Sequence, residues 1–538
     1  MQQKDPDWWR GAVIYQVYPR SFYDSNGDGI GDLPGVTAKL DYIASLNVDA
    51  IWLSPFFTSP MKDFGYDVAD YRGVDPIFGN IDDLDALITK AHDLGLKIMI
   101  DQVLSHSSDQ HAWFVESRSS RDNPKADWYV WAEAKPDGSV PNNWLSVFGG
   151  PAWTWDTRRK QYYLHNFLSS QPDINFHNPD VVAQVLSDIR FWLDRGVDGF
   201  RLDAINFCFH DPELRNNPPS EAVAEASIGV RKENPYGYQQ HIYDKTRPEN
   251  LAFLKQLRSL LDEYPGTTTV GEIGDDNSLQ TMADYTSNGD KLHMAYSFDL
   301  LTEQHNAAFI RHTVETIENK LQDGWPCWAV GNHDVARVAS RWATRSPEQI
   351  KLYMVLLLSL RGSVCIYQGE ELGLGEAELN YRDLVDPYGI RFWPEYKGRD
   401  GCRTPMVWHP EEQNAGFSSG TPWLPVYSEH YNMAVDIQEQ QDESVLHAYR
   451  TFMAWRREQP ALLEGDITFH NSPDNTLLFS RKTDGQQLLI GLNLGDQPAA
   501  FDLPAAAQRI DNAPASLGGD WQGNRLELPA FGAAIGQL

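Results

Sequence analysis

Short apolar, β-rich runs alternate with helix-periodic segments through most of the chain. The strand-like runs are "AVIYQVY", "VDAIWLSPF", "LKIMIDQVL", "VDGFRLDAI", "TTTVGEIG", "MAYSFDL", "CWAVGNHD" and "SVCIYQGEEL". Between them lie segments such as "DDLDALITKAHDLG", "VVAQVLSDIRFWLDRG" and "EQIKLYMVLLLSLRG", whose apolar residues recur every three or four positions. "LDRG" and "LSLRG" predict helix ends with Arg in the last turn and Gly just beyond. Eight strands with helices between them predict a parallel (β/α)8 TIM barrel.

Two stretches break the alternation. Between the third and fourth runs lie roughly 70 residues rich in Trp, Pro, Asn and Gly. A structureless loop of that length is uncommon inside a compact domain, so residues 107–175 are expected to form a small inserted domain. It divides the barrel into 1–106 and 176–458. From residue 459 the character changes to strand runs broken by turn dipeptides such as Asp484-Gly485, which predicts a C-terminal β-sandwich domain over 459–538.

Composition narrows the function classes. The net charge of −30 argues against a nucleic-acid partner, which needs clustered Lys and Arg. It also argues against docking on anionic lipid. No apolar run is long enough to predict a membrane span. The N-terminal "MQQKDPDWWRGAVIYQ" has no basic stretch followed by an apolar one, so no signal peptide is expected. The four cysteines, Cys208, Cys327, Cys365 and Cys402, form no C-x-x-C pair, which points away from zinc and redox motifs. A reducing cytoplasm is the expected location.

Barrel enzymes carry their chemistry at the C-terminal ends of the strands. Asp101 and His106 follow the third run, Arg201 and Asp203 the fourth, Glu272 the fifth, and His333 and Asp334 the seventh. Arg201 and Asp203 are two apart and share a strand face. Opposed carboxylates are what glycosidic cleavage needs: one ionised, the other protonated. Arg201 is placed to keep Asp203 ionised, and crowded negative charge is expected to raise Glu272. "DSNGDGIGDL" (residues 24–33) begins like a calcium loop, but its twelfth position is Gly35 rather than Glu and a strand precedes it, so it is not an EF-hand.

These motifs carry a resemblance. From "AVIYQVYPRSFYDSNGDGIGDLPGV" through "FGYDVADY", "DQVLSH", "QPDINFHNP", "GFRLDAI", "GEI", "GNHD", "YQGEELG" and "GRDGCRTPM", the chain resembles glycoside hydrolase family 13, the α-amylase family, in its oligo-1,6-glucosidase and α-glucosidase branch. The resemblance implies Asp203 as nucleophile, Glu272 as acid/base and Asp334 as third carboxylate. It implies His106, Arg201 and His333 around the first sugar. Asp63 and Tyr66 match residues that grip the non-reducing glucose, with Arg403 as the expected partner of Asp63. Phe148, Phe167 and Gln171 of the insert are expected to wall the pocket, with Asp101 behind it. A structural Ca²⁺ or Mg²⁺ is implied at Asp24, Asn26, Asp28, Asp32 and the Ile30 carbonyl, with no organic cofactor. Ser105 stands where calcium-dependent amylases usually have Asn, so a second metal site near the cleft is not expected.

The implied activity is a retaining, exo-acting α-glucosidase on short, maltose-like α-1,4 glucosides, with transfer to sugar or alcohol acceptors. Ala204 follows the nucleophile where Val tends to accompany α-1,6 and Thr α-1,4 specificity, so linkage stays open. The alternatives are an oligo-1,6-glucosidase, or a sucrose isomerase, trehalose synthase or glucosyltransferase on the same scaffold. A monomer or weak dimer is expected. A catalytically silent transporter subunit would carry a membrane segment and often lack the acids, and this chain keeps all three.

Overall fold

All eight apolar runs form strands in the computed structural model, which describes residues 5–221, 233–344, 346–510, 512–514 and 517–538. The first four residues of the N-terminal stretch read above lie outside the described residues. The strands are β1 (Val13–Val17), β2 (Ala50–Leu53), β3 (Lys97–Val103), β4 (Gly199–Asp203), β5 (Thr268–Ile273), β6 (Met294–Ser297), β7 (Cys327–Ala329) and β8 (Ser363–Tyr367). They make one parallel sheet in the order β6-β5-β4-β3-β2-β1-β8-β7. A parallel bridge between Ala295 and Pro326 brings β6 to β7 and closes the ring. Val13 of β1 lies opposite Val364 of β8.

The strands read as continuous apolar runs because both of their faces are buried. Ile14, Trp52, Met99, Val270, Met294 and Cys327 belong to the cluster that fills the barrel. Facing helices cover the outside. Helix α1 (Ile81–Asp93) opens on a capping box between Asn80 and Asp83 and buries Leu84, Leu87, Ile88 and Ala91 along one stripe. Helix α2 (Pro179–Asp194) and helix α3 (Pro347–Ser359) both start with Pro after a capping Asn178 or Ser346.

Their ends correct one expectation. Arg195 is the cap of α2 rather than part of its last turn, and Arg361 lies one residue past the cap Leu360 of α3. Each arginine reaches a carboxylate on another element, Asp85 at 2.8 Å and Glu318 at 3.2 Å. Gly196 and Gly362 follow with positive φ, as the sequence predicts.

Between β3 and β4 the chain forms a short helix (Ala112–Ser117) and a three-stranded antiparallel sheet of Trp131–Ala132, Gln161–Leu164 and Trp153–Asp156. Bridges from His106 to Asp173 and from Tyr129 to Ile174 bring this segment back over the end of β3. Among the described residues from Asp466 onward, the strands form antiparallel sheets of five and three. Buried Arg481 fastens them to the barrel by donating to the carbonyls of Ser359 and Leu360 at 2.8 and 2.7 Å. The four cysteines are buried free thiols, and the Sγ atoms of Cys327 and Cys365, on neighbouring strands, are 3.6 Å apart. Among the described residues no helix is long and apolar enough to cross a membrane.

Candidate active site

The strand-end acids converge on one guanidinium. Arg201 of β4 is fully buried; its Nη1 donates to Asp101 at 2.9 Å and to Asp203 at 2.7 Å. Its Nη2 donates to Glu272 and to the Tyr296 hydroxyl. Arg201 and Asp203 share a face because they are two apart on one strand. Parallel pairing sets Asp101 beside Arg201 in register. Tyr296 in turn donates to Glu272 at 3.0 Å, and the backbone N–H of Ala204 donates to the other Glu272 oxygen at 3.0 Å.

Three carboxylates around one guanidinium cannot all be ionised cheaply in a buried site. Burial pushes Asp203 up to about 7, against Arg201, with Asp101 and Asp334 adding to the rise. Burial likewise pushes Glu272 up to about 7, against Arg201, with Asp203 and Asp334 adding to it. Asp101 rises to about 6 through burial. Burial thus favours a proton held among these acids, and it outweighs Arg201, which the sequence expects to keep Asp203 ionised. Asp334 behaves oppositely. Burial would raise it, but His333 beside it and the guanidinia of Arg399 and Arg403 hold it well below the usual carboxylate range.

Asp334 and His333 sit beyond the end of β7. His333 is buried and held neutral by its surroundings. The Gln16 amide lies 2.7 Å from its Nδ1; with that amide donating, Nε2 carries the proton and faces Asp334 at 3.3 Å. The ring is stacked on Tyr66, 5.1 Å between centroids and 4° from parallel. The Tyr66 hydroxyl donates to Asp101 at 3.0 Å. His106, pushed down to about 4 by burial, turns its Nε2 to the Tyr66 carbonyl at 3.0 Å.

Asp63 is brought to this group, but not by the expected arginine. Its partner is Arg399 at 2.8 Å, and Arg399 also bonds Asp386 at 2.7 Å and Asp334 at 3.2 Å. Arg403 instead spends its guanidinium on Asp334 at 2.9 Å and on the His333 carbonyl at 2.7 Å. Both arginines flank a short 3-10 turn (Asp400–Cys402); Arg399 lines the pocket and Arg403 does not. Gln171 of the insert donates to the second Asp63 oxygen at 3.0 Å.

Asp63, Tyr66, His106, Phe148, Phe167, Asp203, Glu272, Asp334 and Arg399 line one pocket, with about 710 Å³ of space counted out to its mouth. Asp63 and Arg399 pair inside it. Ala204, in a left-handed conformation (φ 40°, ψ 43°), lines it beside Phe207, Tyr388 and Tyr396. Sequence reasoning missed Tyr296, Arg399, Tyr388, Tyr396 and Phe207. Tyr296 is next to last in the sixth strand, close to where the strand-end rule looks. Arg399 stands in the quoted "GRDGCRTPM" motif. Tyr388 and Tyr396 come from a long loop after β8 with no periodic signal.

The acidic loop lies away from this pocket. Asp24 accepts the amides of Asn26, Gly27 and Gly29 and the Ser418 hydroxyl. Asn26 and Asp28 each accept the amide two residues on. Asp32 caps the helix Leu33–Ala38 and accepts from Ser25 and Gly35. Gly29 has φ 92°, and a Cβ there would stand 1.8 Å from the Thr421 carbonyl oxygen. The donors are all oxygen, the kind that suits Ca²⁺ or Mg²⁺. Their side chains close the loop on its own amides, and no three His, Cys, Asp or Glu side chains among the described residues converge as a ligand set.

Comparison with known proteins gives a consistent picture. The family model described as "Alpha amylase, catalytic domain" matches residues 16–465. A probable alpha-glucosidase of Rhizobium meliloti (strain 1021) is 56% identical over 549 residues, covering 100% of this chain and 98% of its own. An oligo-1,6-glucosidase of Heyndrickxia coagulans is 37% identical, covering 93% and 94%. The crystal structure of an alpha-glucosyl transfer enzyme, XgtA, superposes with a TM-score of 0.96 at 57% identity over 98% of this chain and 99% of that one. A trehalulose synthase from Pseudomonas mesoacidophila MX-45 superposes at 0.89 with 33% identity, over 98% and 99%.

Proposed function

Because the chain belongs to the α-amylase family, we propose that it is a retaining α-glucosidase that removes single terminal glucose units from short α-glucosides. The observation that carries this is Arg201, whose two terminal nitrogens hold Asp203 and Glu272 at once. Carboxylates bound to one guanidinium suit the spacing of about 5–5.5 Å of retaining enzymes better than the wider gap that leaves room for water. Asp203 attacks the anomeric carbon while Glu272 protonates the leaving oxygen. The glucosyl ester is then released when Glu272 takes a proton from water, or from a sugar or alcohol that receives the glucose. Asp334, kept ionised by two arginines, grips sugar hydroxyls. The Asp63–Arg399 pair, with Tyr66, closes the far end, so only a terminal unit fits.

The proton held among the buried acids gives the reaction a pH limit. Glu272 must be protonated, and its folded pKa lies at about 7. kcat/KM is therefore expected to fall as pH rises through about 7. In Glu272→Gln that alkaline limb should vanish, and disaccharide cleavage should fall far more than cleavage of an activated aryl glucoside. Equal losses on both substrates would remove Glu272 from the acid role.

A second reading shares the same intermediate. Transfer follows when an acceptor sugar outcompetes water for the glucosyl ester, isomerisation when the released sugar re-attacks through another hydroxyl, and Ala204 leaves room where that sugar sits. NMR of the enzyme acting on maltose, isomaltose and sucrose separates the readings. Early α-glucose supports the retaining glucosidase, early β-glucose overturns double displacement, and rearranged disaccharide with little glucose assigns the second reading.

We propose a cytoplasmic location, supported by four thiols left unpaired, and a monomer or weak dimer. We also propose one structural Ca²⁺ or Mg²⁺ at Asp24, Asn26, Asp28, Asp32 and the Ile30 carbonyl, supported by the all-oxygen donor set. Dialysed protein is then expected to hold about one ion per chain, and a chelator to lower its Tm with little change in kcat. Absence of metal together with an unchanged Tm would refute it.

A further inference from the structure

We propose that Asn234 is a positioning residue that fixes the leaving-group wall of the pocket. This rests on the glucosidase reading above and adds the part that seats the departing sugar. The wall is identifiable from the acid: the Ala204 N–H touches Glu272, and Val147, Phe148, Phe207 and Tyr388 line the same pocket. Val147, Phe148, Phe207, Tyr236 and Tyr388 form a buried cluster with Ala204. They come from three separate stretches: the insert, the loop between β4 and β5, and α4 (Pro387–Phe392) after β8.

Asn234 ties those stretches together. It is 1% exposed. Its Nδ2 donates to the Val147 carbonyl at 2.7 Å and to the Tyr388 hydroxyl at 3.1 Å. Its Oδ1 accepts the Tyr236 amide at 3.1 Å. One carboxamide thus joins the insert to α4 and to its own turn. Only a carboxamide supplies two donors on one atom and an acceptor on the other within this span. The rings beside it, Phe148 and Tyr388, pack with centroids 5.1 Å apart and planes tilted by 36°. The approach is close. Gly149 and Gly150 have φ of 92° and 78°, and a Cβ on either would stand within 3.0 Å of Phe392 or Arg391 atoms.

A sugar is a poor leaving group and must present its oxygen to Glu272 in a fixed pose, whereas p-nitrophenolate departs with little protonation. Loosening the wall therefore penalises disaccharides selectively. A role confined to folding would lower both substrates together.

The test is the ratio of kcat/KM for the disaccharide that the wild type cleaves to kcat/KM for p-nitrophenyl α-glucoside. Both values come from the same preparation, so the fraction of folded enzyme cancels. The ratio is expected to fall at least about tenfold in Asn234→Ala and at least about threefold in Tyr388→Phe, which keeps the ring and loses the hydroxyl. If Asn234→Ala does not fold, Tyr388→Phe decides alone. A ratio within about threefold of wild type overturns the proposal, whatever happens to Tm. A wild type that cleaves neither substrate overturns the glucosidase reading itself, which is a different result.

Discussion

Asp203→Asn is expected to lower kcat on maltose by at least about three orders of magnitude and to leave a folded protein. Asn matches Asp in shape but offers no carboxylate to form the glucosyl ester. The scaffold around it survives, because Arg201 keeps Asp101, Glu272 and Tyr296 as partners. Loss of the Asp203 charge also removes one of the influences that raise Glu272, so the residual activity should lose its acid at lower pH than the wild type does. Glucose release followed across pH 5 to 9, with Tm measured alongside, checks both statements. In Asp203→Gly, which vacates that space, azide needs no catalytic base and should restore turnover by direct displacement, yielding the inverted β-glucosyl azide. A kcat within about tenfold of wild type would remove Asp203 from the nucleophile role.

Arg399→Met is the second large effect. This guanidinium bonds Asp63, Asp386 and Asp334 and lies 5.0 Å above the Phe148 ring, with only 8% of the side chain exposed. Removing it leaves Asp63 and Asp386 buried without their cation, a kind of loss that costs about 3–5 kcal/mol. kcat/KM on maltose is expected to fall at least about hundredfold, together with the urea midpoint. Arg399→Lys keeps a charge but not the planar fork, and should recover stability before activity. If Arg403 were the true partner of Asp63, Arg399→Lys would be nearly silent; a kcat/KM within threefold of wild type would say so.

The barrel was legible because strands buried on both faces spell out as unbroken apolar runs, and the residue types just past them carry the chemistry. Asp203, Glu272, Asp334, Arg201 and His333 all stand at or near such strand ends. The exchange of Arg399 for Arg403 was not legible. They stand four positions apart, and a single short turn decides which side chain reaches the pocket. Tyr388, Tyr396 and Asn234 come from long connections whose conformation depends on partners far away in sequence, so no local pattern announces them. The helix-end arginines show the same limit: Arg195 and Arg361 follow distant carboxylates rather than their own helix dipoles.

The pairing of β1 with β8 has a consequence during synthesis. Val13 and Val364 are neighbours in the sheet yet roughly 350 residues apart in the chain. A ribosome adding about 5–20 residues per second needs tens of seconds to cover that interval. Throughout it, the outer edge of β1 has no ladder partner, while β2 and β3 can already pair on its other side. An unpaired edge of this kind is a template for the wrong strand. The nascent chain must wait, half a barrel with one open seam, for residues 363–367 to emerge and shut it.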